Sequence, residues 1–124
     1  VFFQEAPLDV PVLDWLRGLR RTDRRGYAKC VASVERLAEM GHELRRPEAD
    51  LLRDRIHELR ARRGRVHYRI LYFFHGKGIA VLARGLSKEG RVSDADIVRA
   101  VRRRVAFEED PARHTFVMEL GHDG

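Results

Sequence analysis

The alternation of polar and apolar positions is clearest between residues 54 and 88. It predicts three short strands in a meander, at about Ile56–Arg62, Val66–His75 and Ile79–Gly85. In the middle strand Arg65, His67 and Arg69 fall on one parity, while Val66, Tyr68, Ile70, Tyr72 and Phe74 fall on the other. Successive strand side chains point to opposite sheet faces, so the first three are expected to share a face. Arg63-Gly64 and Gly76-Lys77-Gly78 supply the glycines that tight hairpins need. The third strand is nearly all apolar, as expected for one covered on both faces.

Upstream the period changes to that of helices. Val12, Leu13, Trp15, Leu16 and Leu19 form an apolar stripe within a helix predicted over Pro7 to Arg20, with Pro11 in its first turn. A longer helix is predicted from about Asp23 to Met40, burying Tyr27, Val31, Val34 and Leu37 and stopping at Gly41. Val1 to Gln4 reads as a strand at the sheet edge. Gly41 to Arg53 reads as a connection interrupted by Pro47, with one helical turn at Glu48 to Leu52. Ser93 caps a last helix, with Asp94 and Asp96 near its start and Arg102, Arg103 and Arg104 towards its end, both suited to the macrodipole. The expected fold class is therefore α+β: an N-terminal strand and two helices packed on an antiparallel meander, then a C-terminal helix. Residues 1–107 read as one domain and 108–124 as a tail or an added strand.

Composition narrows the class. At 124 residues the chain can bury roughly 65–70 % of the surface its unfolded form exposes, so stability requires neither disulfide nor metal. The one cysteine, Cys30, reads as a packing residue and suits a reducing cytoplasm. No apolar run approaches the roughly 18–20 residues that span a bilayer, and no signal peptide is visible. The formal net charge is +6, and only Lys29, Lys77 and Lys88 of its 25 basic residues are lysines. Arginine makes planar, bidentate contacts with phosphate and stacks on bases, which suits RNA. GC-rich codon usage also favours arginine throughout a chain, so only the placement of particular arginines carries a functional argument. The histidines lack the spacing of a zinc centre, and no glycine-rich loop precedes a helix. No metal and no cofactor are expected.

Several short stretches carry a resemblance: His57-Glu58-Leu59-Arg60, Tyr68-Arg69-Ile70-Leu71-Tyr72, Gly85-Leu86-Ser87-Lys88 and Asp96-Ile97-Val98-Arg99-Ala100, with Trp15-Leu16 and Gly41-His42-Glu43-Leu44 upstream. In this order the chain resembles the RelE/HigB superfamily of type II toxins, most of all its phage-derived HigB-like branch. The resemblance implies a metal-free endoribonuclease, an mRNA interferase acting on message in the ribosome. It would direct the RNA 2′-OH onto the adjacent phosphate. It also implies a cognate antitoxin, often of helix-turn-helix type, and no membrane partner.

Such chemistry needs a base for the 2′-OH proton, an acid for the departing 5′-oxygen, and cations on the phosphate. Arg69 matches the arginine of the family's central strand and is the expected phosphate clamp. Arg60 in the preceding strand and Lys88 after the third strand are the expected helpers. His67, on the parity of Arg69, is the expected proton-transfer residue, with Glu58 as an alternative base. Arg62, Arg65, Arg84 and Arg91 are candidates for RNA binding. His57 and His75 are placed less securely. Two features depart from the family pattern: Lys88 is followed by Glu89, and Phe107 can stack but cannot transfer a proton. They leave room for an alternative, a non-catalytic module of the same fold that holds RNA or a protein partner. A third reading is a structural or regulatory phage protein with an incidental basic face.

Overall fold

The computed structural model describes residues 1–87 and 90–120. Its elements in chain order are β1 (Phe2–Phe3), α1 (Pro11–Thr22), α2 (Arg24–Met40), β2 (Ala49–Arg53), β3 (Ile56–Arg63), β4 (Val66–His75), β5 (Ile79–Ser87), α3 (Asp94–Glu109), α4 (Pro111–His114) and β6 (Thr115–Phe116). Among the described residues they form an α+β fold on one sheet of order β2-β3-β4-β5-β1-β6. All neighbouring pairs are antiparallel except β1 with β5. The predicted meander is the centre of this sheet.

Its two faces carry two separate cores. Leu13, Leu16 and Leu19 of α1 and Tyr27, Cys30, Val31 and Leu37 of α2 cover Leu59, Tyr68, Ile70, Tyr72 and Leu82. On the opposite face Ile97, Ala100 and Phe107 of α3 cover Ile56, Leu71, Phe73, Val81 and Ala83. Neighbours along β5 thus enter different cores, which is why that strand reads as continuously apolar. Cys30 is fully buried, and burial pushes its thiol up to about 12, as suits a packing residue. No described helix is long and apolar enough to cross a membrane.

Three local expectations change. The first helix begins at Pro11 rather than Pro7, because Ala6 to Asp9 close a turn in which Asp9 N donates to Ala6 O at 2.9 Å. Residues 49–53 form an edge strand instead of a helical turn, paired with β3 from Ala49↔Leu59 to Arg53↔Ile56. Leu51 is exposed there, so the segment carries no clean two-residue alternation. The N-terminal strand lies inside the sheet edge, since β6 pairs along its outer side through Phe2↔Phe116 and Phe3↔Thr115.

One close approach fixes α1 on the sheet. Gly85 of β5 lies directly under the Trp15 indole, and a methyl group there would overlap the ring. Gly85→Ala is expected to lower stability by roughly 1–3 kcal/mol, the usual range for overpacking. Urea unfolding followed by Trp15 fluorescence checks it; an unchanged midpoint would show that Trp15 can move aside freely.

Candidate nucleic-acid interface

The strand register builds the site. Arg60 lies opposite Arg69, Arg62 opposite His67, and Glu58 opposite Leu71, so these side chains share the face that α3 covers. That helix covers only part of the face. Its start is held by Arg53 Nη2 on Asp94 Oδ1 (2.7 Å) and Arg84 Nε on Asp96 Oδ1 (2.9 Å). Among the described residues the half of the face towards the β3–β4 hairpin is open, and there Arg60, Arg62, His67 and Arg69 line a pocket of about 330 Å³ with Pro47 and Glu48.

The floor of this region is a carboxylate. Glu58 is only 2 % exposed. Arg60 Nε donates to its Oε1 at 2.5 Å, and Arg69 Nη1 approaches Oε1 and Oε2 at 3.3 and 3.4 Å. Arg60 is held further by Pro47 O (3.4 Å) and by Asp50 Oδ2 (3.5 Å), and Asp50 in turn pairs with Arg46 at 2.9 Å. A buried ion on its own would cost several kcal/mol, so two arginines on one carboxylate satisfy the floor and leave positive charge in excess above it. The result is a pair of guanidiniums with restricted rotamers, aimed from adjacent strands.

The other predicted residues divide. His67 is half-buried and lines the same pocket as Arg69. Arg62 is exposed beside it. Arg65 falls in the hairpin turn before β4 begins, so it is exposed at the tip and does not stand on the strand face with His67 and Arg69. Arg84 shares the face but is engaged by Asp96. Arg91 is exposed ahead of the Ser93 cap. Lys88 and the neighbouring Glu89 lie outside the described residues.

Several further candidates sit elsewhere. His57 faces α2's side of the sheet, stacked on Tyr72 at 5.1 Å between ring centres; burial, and then the nearby His42, lowers its pKa. His75 is half-buried with its ring edge-on to Phe107 at 5.0 Å. Phe107 itself is buried against Phe73 and unavailable for stacking on RNA. His114 stacks on Phe3, and its Nδ1 donates to Gln4 O at 2.7 Å. Among the described residues no three His, Cys, Asp or Glu side chains are grouped as a metal ion would require.

A residue that periodicity does not single out, Asp23, ties the β3–β4 hairpin to the start of α2 on the other face of the sheet. It caps α2 by accepting from Gly26 N at 3.0 Å, and it also accepts from Arg63 Nε (2.8 Å) and the Tyr68 hydroxyl. The Arg63 and then the Tyr68 hydrogen bond hold its carboxyl down to about 2, against an ordinary 3.8. A carboxyl with a lower pKa folded than unfolded stabilises the fold above its unfolded value. That contribution is lost as pH falls from about 4 towards about 2. Asp23→Asn should be less stable at neutral pH and should lose this acid dependence, as chemical denaturation across that window will record. An identical pH profile for both proteins would remove Asp23 from this role.

The site is thus an arginine-lined cleft on the sheet of a small α+β fold. The sequence of the chain is more particular. Residues 14–105 match the family described as phage derived protein Gp49-like (DUF891). The chain belongs to that family, a toxin-like family related to RelE/HigB-type toxins. No protein in a comparison with curated proteins matches it.

Proposed function

We propose that this protein is the toxin of a toxin–antitoxin system and acts as an endoribonuclease on messenger RNA in the ribosome. The single observation that supports this most is the convergence of Arg60, Arg69 and His67 around one open pocket above a buried carboxylate. Arg69 and Arg60 would clamp the scissile phosphate, Glu58 would hold both forks in place, and His67 would transfer a proton. Lys88 is assigned to the lip of the cleft on the family resemblance alone. The RNA 2′-OH would attack the adjacent phosphorus, its proton passing to the protein. The bond to the 5′-oxygen would then break, that oxygen gaining a proton, to leave a 2′,3′-cyclic phosphate and a 5′-OH. A cognate antitoxin, of helix-turn-helix type on the same resemblance, would neutralise the activity.

Induced expression in bacteria tests the reading. The wild type should arrest growth and produce cuts in translated messages, and Arg69→Ala should relieve both. A folded wild type that does neither would leave the second reading, a module of the same fold that holds RNA or a protein without cutting. One feature favours that alternative: both guanidiniums already rest on Glu58, and the other acid–base side chains lining the pocket with His67 are engaged elsewhere, Glu48 by Arg36 and Tyr68 by Asp23.

A further inference from the structure

A second cluster of rings and cations lies at the β2 edge, around the connection that leaves α2. Gly41, at a φ of +52° that glycine adopts freely, ends α2, and Leu44 N donates to Gly41 O at 3.2 Å to close a short turn. Buried Leu44 anchors the turn in the core, and Arg36 Nη2 holds the following residues by donating to Glu48 Oε1 at 2.9 Å. The turn lays the His42 ring on Phe74, with centres 3.7 Å apart and planes 26° from parallel. Phe74 packs edge-on against both Tyr72 and His57, so His42 is the outermost ring of a packed cluster.

His42 is nevertheless exposed, and with His57 it lines an open pocket of about 400 Å³. A ring backed on one face by other rings offers a rigid surface for stacking on its other face. The rim of the pocket is cationic. Among the described residues lining it, Asp50 is the one carboxylate; it accepts from Arg46 Nε at 2.9 Å and lies 3.5 Å from Arg60 Nη2. Arg45 adds an exposed positive charge beside the rings. A ring for a base and a guanidinium for its phosphate are the two parts that hold single-stranded RNA.

The pocket also continues the Arg69 cleft. Glu48 lines the cleft and the next residue, Ala49, lines this pocket, their Cα atoms about 3.8 Å apart. Asp50 joins the two again, with Arg46 on one side and Arg60 on the other. A strand leaving the cleft across this edge meets His42 next.

We infer that His42 is a stacking platform for an unpaired RNA base beside the scissile phosphate, with Arg45 on the backbone of the same nucleotide. The inference rests on the function proposed for the cleft and names the part of the substrate lying next to it. Every base has a π face, so the platform contributes affinity and register rather than sequence choice.

The test uses the full chain and a 2′-O-methylated RNA hexamer, which lacks the attacking hydroxyl, beside a base-free hexamer of equal charge. His42→Ala should weaken binding of the base-bearing strand about fivefold or more, the usual cost of one lost stacking contact, and leave the base-free strand within about twofold. His42→Phe should restore the affinity. Arg45→Gln should weaken both strands and lower the slope of log affinity against log salt by about 0.7, whereas His42→Ala should leave that slope unchanged. Thermal melting should show all three variants folded.

The outcomes separate the two proposals. If the wild type cuts no message yet prefers the base-bearing strand through His42, the cleft reading fails and this one stands. If it cuts message but His42→Ala binds the base-bearing strand like wild type, this one alone is overturned. It is equally overturned if His42→Ala weakens both strands alike, or if His42→Phe restores nothing. Adenosine monophosphate bound through His42 as tightly as the hexamer would assign the pocket to a free nucleotide instead.

Discussion

Arg69→Ala is expected to reduce RNA cleavage by roughly 10²–10³-fold, the usual cost of removing one preorganised group that stabilises transition-state charge. The loss should come with an intact fold. Arg69 has a side chain only 13 % exposed, but Glu58 beneath it keeps Arg60 Nε at 2.5 Å, so the buried carboxylate is not left without a partner. Breaking a buried pair outright costs about 3–5 kcal/mol; here the retained Arg60 should hold the cost well below that range. Arg69→Lys refines the test. Lysine keeps the charge and loses the planar fork, so a clamp that grips two phosphate oxygens should recover only part of the activity. Full recovery would mean that positive charge alone suffices, and that the fork geometry set by Glu58 is incidental. Single-turnover cleavage with matched circular dichroism measures both effects.

Glu58→Gln is the second large effect, and it acts through the arginines. The amide has nearly the same shape, but it offers Arg60 and Arg69 a neutral oxygen and presents them with N–H groups. Two neighbouring guanidiniums then face each other with no anion between them. The expected result is roughly 1–3 kcal/mol of lost stability, the range for hydrogen bonds to charged groups, together with a marked loss of cleavage. Glu58 is 2 % exposed and bonded to both arginines, so in the proposed mechanism it would act as a positioning residue that substrate does not touch. A positioning role predicts that added phosphate or sulfate restores part of the variant's stability, because the anion can occupy the site between the two forks. It also predicts a larger change in the affinity for a non-cleavable RNA than a change in proton transfer alone would give. A variant that binds RNA normally but does not cut would instead make Glu58 the base.

Much of this arrangement can be read from the chain because a strand has a period of two. Once Val66–His75 is taken as a strand, Arg69 and His67 must share a face, and antiparallel pairing with the preceding strand sets Arg60 and Arg62 beside them. The same rule separates His57 from the cleft, since it alternates with Glu58. Burial was harder to read. Phe107, a stacking candidate by residue type, is drawn into the core by Phe73, a contact across 34 positions that no local pattern signals. Residues 49–53 have good helix formers in Glu48-Ala49-Asp50-Leu51-Leu52. They become a strand because β3 offers an unpaired edge, a non-local pairing that overrides propensity. The stacking of His42 on Phe74 is another contact between distant parts of the chain, made only because the turn after Gly41 folds back onto the sheet.

The most direct test is the chemistry of the RNA ends left after purified protein acts on messages loaded in ribosomes. Cleavage within the cleft described here predicts upstream fragments ending in a 2′,3′-cyclic phosphate and downstream fragments beginning with a 5′-OH, in amounts that collapse with Arg69→Ala. Fragments bearing 3′-OH and 5′-phosphate ends, or cuts indifferent to Arg69, would contradict it.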